Sequence, residues 1–345
     1  MVDMKHSVCV LGGGSFGTAL ANIMAKNGHQ VSQWMRNEEQ VEEINLTGLN
    51  SRYLPNAPLH RELLATSNLE QAIRDSDTVF VSIPSKSFEQ VVQRIEPLLT
   101  ADKILISTTK GFNPNRFELM SDVLRRNPIT QKIGVLSGPN LAKEIAAGQM
   151  TGTVIASADD QVRRRVIELL KSPTFRVYEN KDSKGVELAG ALKNIYAIVC
   201  GLAKALNVGE NTMSMIMTRS LAEMSRFAVH FGANPMTFLG LAGMGDLIAT
   251  CTSPLSRNYR VGFAIGSGHN LDEAIGGIGE VAEGVNTLKM VVDEAHKHGL
   301  YMPLAEGLSK LLFENAQLES LIGSMMTGEQ KWDVEFATNE ENDNV

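Results

Sequence analysis

The sequence predicts an α/β fold in two parts, a doubly wound sheet domain followed by a mostly α-helical C-terminal domain. Three observations carry this prediction. Short apolar runs alternate with helical patterns through the first half, the signature of parallel strands joined by crossover helices. A glycine cluster follows the first of these runs. Beyond Ser183 the strand signal fades and helical spacing takes over.

The first strand is expected over residues 7–11, and residues 18–26 read as a helix. Between them Gly12, Gly14 and Gly17 form G-x-G-x-x-G, with Ser15 and Phe16 inside the motif. In that setting the first glycine permits a tight turn, the second lets a pyrophosphate approach the backbone, and the third lets helix and strand pack closely. The helix start then offers unpaired N–H groups and a partial positive charge. The sheet domain is therefore expected to be Rossmann-like and to bind a dinucleotide. The second strand is expected over residues 30–35. An NAD-selective site usually carries an acidic residue at the end of this strand, about 20 residues beyond the glycines. Here the chain reads Trp34-Met35-Arg36-Asn37. A guanidinium at Arg36 attracts a 2′-phosphate and can stack on adenine, so NADPH is an expected cofactor. The other reading of Arg36 is an exposed loop arginine. Glu38 and Glu39 are expected to begin the next helix, facing solvent.

Further strands are expected over residues 78–83, 104–107 and 133–136. Two β-like runs, 152–156 and 175–178, flank a charged helical segment at 159–170, so the sheet domain is expected to span residues 1–180. From there Leu188, Leu192, Ile195, Val199 and Leu202 recur at helical spacing and predict one buried stripe. The helical domain is expected over residues 181–335. Glycine-rich stretches at 240–245 and 276–284 and the prolines Pro235, Pro254 and Pro303 punctuate it. Residues 336–345 are polar and acidic, and are expected to be disordered.

A chain of 345 residues exceeds one usual domain, and 43% hydrophobic with 21% charged residues is an ordinary globular mix. The formal charge of −7 gives no basic footprint, so no nucleic-acid partner is expected. Cys9, Cys200 and Cys251 lie far apart without metal-ligand spacing, which fits free thiols in a reducing compartment. The seven histidines are scattered, His296 and His298 reading as a polar helix end before Gly299, and no metal is expected. The N-terminus carries no long apolar leader, and no stretch reaches the roughly 20 apolar residues that span a bilayer. Stable membrane insertion is not expected, and a cytoplasmic location is.

Four further segments carry a resemblance: STTKGF at 107–112, SGPNLAKE at 137–144, ALKNIYAI around Lys193, and GLAGMGDLIATCTSPLSRNYRVG at 240–262. With them the chain resembles the bacterial NAD(P)-dependent glycerol-3-phosphate dehydrogenases over about residues 6–330. The resemblance implies hydride transfer interconverting dihydroxyacetone phosphate and sn-glycerol 3-phosphate. It implies NADPH/NADP or NADH/NAD as cofactor, and a supply of glycerol 3-phosphate for phospholipid synthesis. Lys193 is then the general acid/base, with Asp246 orienting it. Lys110 touches both substrate and cofactor. Gly138 and Asn140 contact substrate, although many relatives carry Ser or Thr at the Asn140 position, and Ala142 contacts the dinucleotide. Asn194, Ser256, Arg257 and Asn258 hold the substrate and its phosphate, with Arg257 also reaching the cofactor, and Val281 and Glu283 contact the cofactor. If the chain pairs with itself, the expected assembly is a homodimer.

The residues support parts of this independently. Lys193 is the only charge between Glu187 and Lys204, and Gly190 and Ala197 flank it at i−3 and i+4, leaving room above the ammonium. Burial would lower its pKa toward a range useful for proton transfer. The alternative is a snorkelling lysine whose head reaches water. Asp246 either hydrogen-bonds Lys193 or a substrate hydroxyl, or caps the helical segment that follows. Ser256 occupies an N-cap place after Pro254, so Arg257 and free N–H groups suit a terminal phosphate. Two other functions stay open: a hydroxy-acid dehydrogenase in which Arg257 binds a carboxylate, and a regulator that senses NADPH without turnover.

Overall fold

The computed structural model describes residues 5–126, 128–277, 282–314, 316, 317 and 333. The sheet domain opens with β1 (Ser7–Leu11), α1 (Ser15–Lys26), β2 (Gln30–Trp34), α2 (Glu38–Thr47) and β3 (Leu63–Thr66). It continues with α3 (Leu69–Arg74), β4 (Thr78–Val81), α4 (Ser85–Ile95), β5 (Ile104–Ser107), α5 (Met120–Arg125) and β6 (Ile133–Ser137). It closes with α6 (Ala142–Ala146), β7 (Thr151–Ala156), α7 (Asp160–Leu170) and β8 (Phe175–Asn180). The helical part holds α8 (Ser183–Ala205), α9 (Glu210–His230), α10 (Asp246–Thr252) and α11 (Arg257–Gly266). After these come α12 (Leu271–Gly276), α13 (Glu283–Lys297) and α14 (Pro303–Phe313).

The eight strands form one sheet in the order β3-β2-β1-β4-β5-β6-β7-β8. The strand order reverses between β1 and β4, and in open α/β sheets ligands bind beyond the carboxyl ends of strands at such a point. β1 to β6 are parallel, and β4, β5 and β6 are buried along their whole length, as fits strands covered on both faces. Two expectations need correction. The sheet contains a strand not anticipated from sequence, β3, a four-residue edge whose Leu64 is exposed. It is also not parallel throughout: β7 runs antiparallel to β6, Ser137 pairing with Val154, and β8 is parallel to β7. Because β7 is reversed, its first residues lie beside the carboxyl end of β6.

α8 is the axis of the helical part. Far from one buried stripe, 19 of its 23 residues are buried, as expected of a helix packed on all sides. It is also long and apolar enough to cross a membrane, but 94% of its most apolar window is buried inside the protein. α11 crosses it at very close range: a Cβ added at Gly262 would lie 1.9 Å from Ile198 O, and one at Gly201 2.0 Å from Tyr259 O. Only glycine allows this contact, and it draws the first residues of α11 toward the middle of α8.

Candidate active site

The chemistry-bearing residues converge where the sheet's carboxyl ends meet α8. Lys110 follows β5, and its Nζ donates to Gly138 O just beyond β6 at 2.9 Å and to Asp246 Oδ2 at 2.6 Å. Lys193 Nζ donates to the other oxygen of the same carboxylate, Asp246 Oδ1, at 2.5 Å, and to Thr250 Oγ1. Asp246 is 1% exposed and Lys193 6%. The snorkelling reading of Lys193 therefore fails, since its head stays inside. The capping reading of Asp246 fails too: it is the first residue of α10, and its carboxylate is spent on two ammonium groups rather than on the helix.

Two lysines sharing one buried carboxylate leave the cluster one positive charge in excess. Burial pushes the Lys193 ammonium down to about 8 from its usual 10.5, against the raising pull of Asp246, and the nearby Lys110 charge lowers it further. An amine poised there exchanges its proton readily near neutral pH. The space at Gly190 is not open to a ligand as expected. A Cβ there would meet Ser137 Oγ at 2.5 Å, so the glycine makes room for that hydroxyl.

Asn140 Nδ2 donates to Thr153 Oγ1 at 3.0 Å, while its buried Oδ1 has no partner. Ser256 is the N-cap of α11, its Oγ accepting from Tyr259 N, and Arg257 is the exposed first residue of the helix. Asn258 Oδ1 accepts from Gly284 N at 3.0 Å, and a Cβ at Gly284 would meet Asn194 O at 2.6 Å. The start of α13 thus presses on α8 one residue from Lys193, and Asn258 ties the start of α11 to α13. Glu283 is no surface-loop residue: as the first residue of α13 it accepts from Ser85 N at 3.1 Å and Ser85 Oγ at 2.7 Å, tying α13 to the start of α4. Val281 lies outside the described residues.

The dinucleotide elements follow β1, two strands from β5 in the same sheet. Gly12 has φ 122°, and a Cβ there would lie 2.2 Å from Ser82 O, so β1 can turn only at glycine. A Cβ at Gly17 would lie 2.7 Å from Gly12 O, whereas one at Gly14 would meet nothing within 4 Å. Gly14 caps α1 without a side-chain bond, which leaves the first N–H groups of that helix to a ligand. Ser15 Oγ donates to Tyr53 O, Phe16 is half-buried, and Ala142 begins α6. Arg36 is exposed in the bend after β2. Among the residues that sequence reasoning missed, Thr250 stands out. It lies at i+4 from Asp246 on α10, a spacing that puts both on one helix face.

Two family models cover the chain: the N-terminus of NAD-dependent glycerol-3-phosphate dehydrogenase matches residues 7–163, and its C-terminus residues 182–323. The chain belongs to the NAD-dependent glycerol-3-phosphate dehydrogenase family. It is 53% identical over 336 residues to a glycerol-3-phosphate dehydrogenase [NAD(P)+] of Alcanivorax borkumensis, covering 97% of this chain and 98% of the relative. Its identity to the protein of the same name from Saccharophagus degradans is 54% over 335 residues, 97% of this chain and 94% of the relative. The crystal structure of glycerol-3-phosphate dehydrogenase from Coxiella burnetii superposes with a TM-score of 0.88 at 36% identity, over 94% of this chain and 99% of that one.

Proposed function

We propose that this family member interconverts dihydroxyacetone phosphate and sn-glycerol 3-phosphate with NADPH/NADP or NADH/NAD, supplying glycerol 3-phosphate for phospholipid synthesis. The observation that carries the proposal is the buried Lys193–Asp246–Lys110 cluster, whose lysine is tuned to about 8 at the carboxyl edge of a dinucleotide-type sheet. The open face of Gly14 and the uncapped start of α1 fit a pyrophosphate. Gly12, Gly14, Ser15, Phe16, Gly17, Arg36, Ala142, Val281 and Glu283 hold the cofactor, with Lys110 and Arg257 shared with the substrate. The cofactor supplies the hydride when bound. Lys193 Nζ protonates the carbonyl oxygen as it becomes an alkoxide, and takes the proton back in the reverse direction. Asp246 and Thr250 fix the direction of that ammonium, and Lys110 keeps positive charge beside the same oxygen. Gly138, Asn140 and Asn194 position the carbon skeleton. Ser256, Arg257 and Asn258 take the phosphate at the start of α11, where N–H groups and a guanidinium converge.

The same proposal divides the chain near residue 180, supported by the end of β8 at Asn180 and the start of α8 at Ser183. It places the enzyme in the cytoplasm, away from membrane and nucleic acid, as a homodimer, which sedimentation of the pure protein tests. The decisive experiment is an assay of pure protein with NADPH and dihydroxyacetone phosphate. Steady oxidation is expected. NADPH binding without turnover would make the protein a nucleotide sensor. Replacing Arg257 with Ala should raise the KM for dihydroxyacetone phosphate far more than it slows turnover of unphosphorylated dihydroxyacetone. Equal losses would remove Arg257 from phosphate recognition.

A further inference from the structure

We propose that a clamp of side-chain amides, Gln33 and Asn50 joined through Thr18 and Gln40 joined to Asn50, positions the peptide groups of the glycine loop for the pyrophosphate of the dinucleotide. The inference rests on the cofactor reading above. Gln33 Nε2 donates to Gly12 O at 2.8 Å and to Thr18 Oγ1 at 2.9 Å. Asn50 Nδ2 donates to Gly13 O at 3.0 Å and to Thr18 Oγ1 at 2.9 Å. Gln40 Nε2 donates to Gly13 O at 2.8 Å and to Asn50 Oδ1 at 3.1 Å. Gln33, Thr18 and Asn50 are each wholly buried. Burying three polar side chains is costly unless their hydrogen bonds are made. Here the amide N–H groups make theirs, converging on two consecutive carbonyls of one loop and on Thr18 Oγ1, while Gln33 Oε1 stays buried without a partner.

The consequence follows from peptide geometry. In a planar trans peptide the N–H points away from the C=O of the same unit. Holding Gly12 O and Gly13 O inward therefore turns the N–H groups of Gly13 and Gly14 outward. A Cβ at Gly14 would also meet nothing within 4 Å, so the loop is open there. Successive N–H groups aimed one way make an anion-binding concavity, here continuous with the start of α1. The clamp also accounts for Gly13, the middle glycine of the run, which the dinucleotide motif does not require. A Cβ at Gly13 would lie 2.9 Å from both Gln40 Nε2 and Met35 Sδ. Gly13 is glycine so that the clamp can close. Gln33 and Gln40 also bracket Arg36 in sequence, three residues before it and four after, so the pyrophosphate loop and the turn carrying Arg36 are tied together.

The test measures dissociation constants of the full-length protein for NADPH, NADH and adenosine 2′-monophosphate, in wild type and in the uncharged variants Gln40→Met and Asn50→Leu. Wild-type protein that binds neither dinucleotide would sink the cofactor reading itself, whatever the variants do. With wild-type binding established, both variants should weaken NADPH and NADH by one common factor of about tenfold, roughly one or two lost hydrogen bonds. Adenosine 2′-monophosphate has no pyrophosphate and should bind within about twofold of wild type, a readout that general loosening of the domain would not spare. Unchanged dinucleotide affinity, or equal weakening of all three ligands, would overturn the proposal. Gln40 is half-buried at the first turn of α2, so Gln40→Met decides the matter alone should Asn50→Leu fail to fold.

Discussion

The two ends of the proposed site, the glycine loop and the lysine cluster, present their polar groups in opposite ways. At the glycine loop, the groups on offer are neutral backbone dipoles, assembled from a few consecutive residues and held by uncharged amides. At the lysine cluster, the groups are full charges, and they come from separate stretches of chain: Lys110 and Asp246 are 136 residues apart, and Lys193 and Asp246 are 53 apart. Peptide dipoles can be aimed by local chain geometry, and they cost little to desolvate once their carbonyls are satisfied. Buried charges demand partners, and removing one partner from such a set is expensive, on the order of 3–5 kcal/mol. The loop is therefore suited to holding a cofactor that comes and goes, and the cluster to moving a proton.

The largest effect should come from the cluster. Lys193→Met keeps the bulk of the stem and removes the proton donor, so kcat should fall by about 10²- to 10⁴-fold while NADPH affinity stays near wild type. Equal loss of both would erase the contrast between the two ends. A kcat loss below roughly tenfold, about 1.4 kcal/mol of barrier, would move the acid/base role to another group, Lys110 first. Lys193→Arg serves as the control, since arginine keeps the charge but does not readily release its proton. An active arginine variant would leave Lys193 a purely electrostatic part.

A smaller and more diagnostic effect is expected from Asp246→Asn, which keeps the proton donor and alters its environment. In the proposed mechanism Lys193 must be protonated to reduce the ketone and neutral to oxidise the alcohol. Reduction should therefore fall, and oxidation rise, as pH passes through about 8. Asp246 is the main influence raising the Lys193 pKa. Its removal should move both limbs of the kcat/KM profile to lower pH. Limbs that stay in place, or move to higher pH, would show that a different group titrates.

The same contrast explains how much could be read before the structure. The glycine motif, the strand and helix it joins and the N-cap of α11 at Ser256 were legible because each depends on neighbours within a few residues. Of the lysine cluster, the sequence alone offered one charge in an apolar helix. The family motifs supplied its partners, and only the fold shows that Lys110 and Lys193 divide one carboxylate. β3 escaped notice because a four-residue edge strand with an exposed leucine leaves almost no period to detect. The reversal of β7 has no local signature, since strand direction is set by what the chain does between strands. Other signals were present and unused. Gly201 with Ala205 on α8, and Gly262 with Gly266 on α11, repeat small residues four apart on facing helices, the pattern that lets two backbones approach. Asn50, in an irregular stretch between α2 and β3, carried no such sign, and its role emerges only from its contact with Gly13.

The smallest effect, and the finest test of the loop end, concerns cofactor choice. NADPH and NADH share the pyrophosphate and differ only in the 2′-phosphate, so whatever acts through residues 12–14 changes both affinities together. Arg36 is exposed just beyond β2, where the ribose 2′ position is read in folds of this kind. An aspartate at this position repels the 2′-phosphate and can accept from a ribose hydroxyl. Arg36→Asp should therefore shift the ratio of kcat/KM values from NADPH toward NADH while leaving the NADH value itself near wild type. A ratio within about twofold of wild type, below roughly 0.4 kcal/mol, would mean that Arg36 is only a solvated arginine. A fall in both values without a change in their ratio would be more informative still. It would mean that the turn carrying Arg36 acts on the pyrophosphate loop through the amides on either side of it, and that the two parts of the cofactor site cannot be perturbed separately.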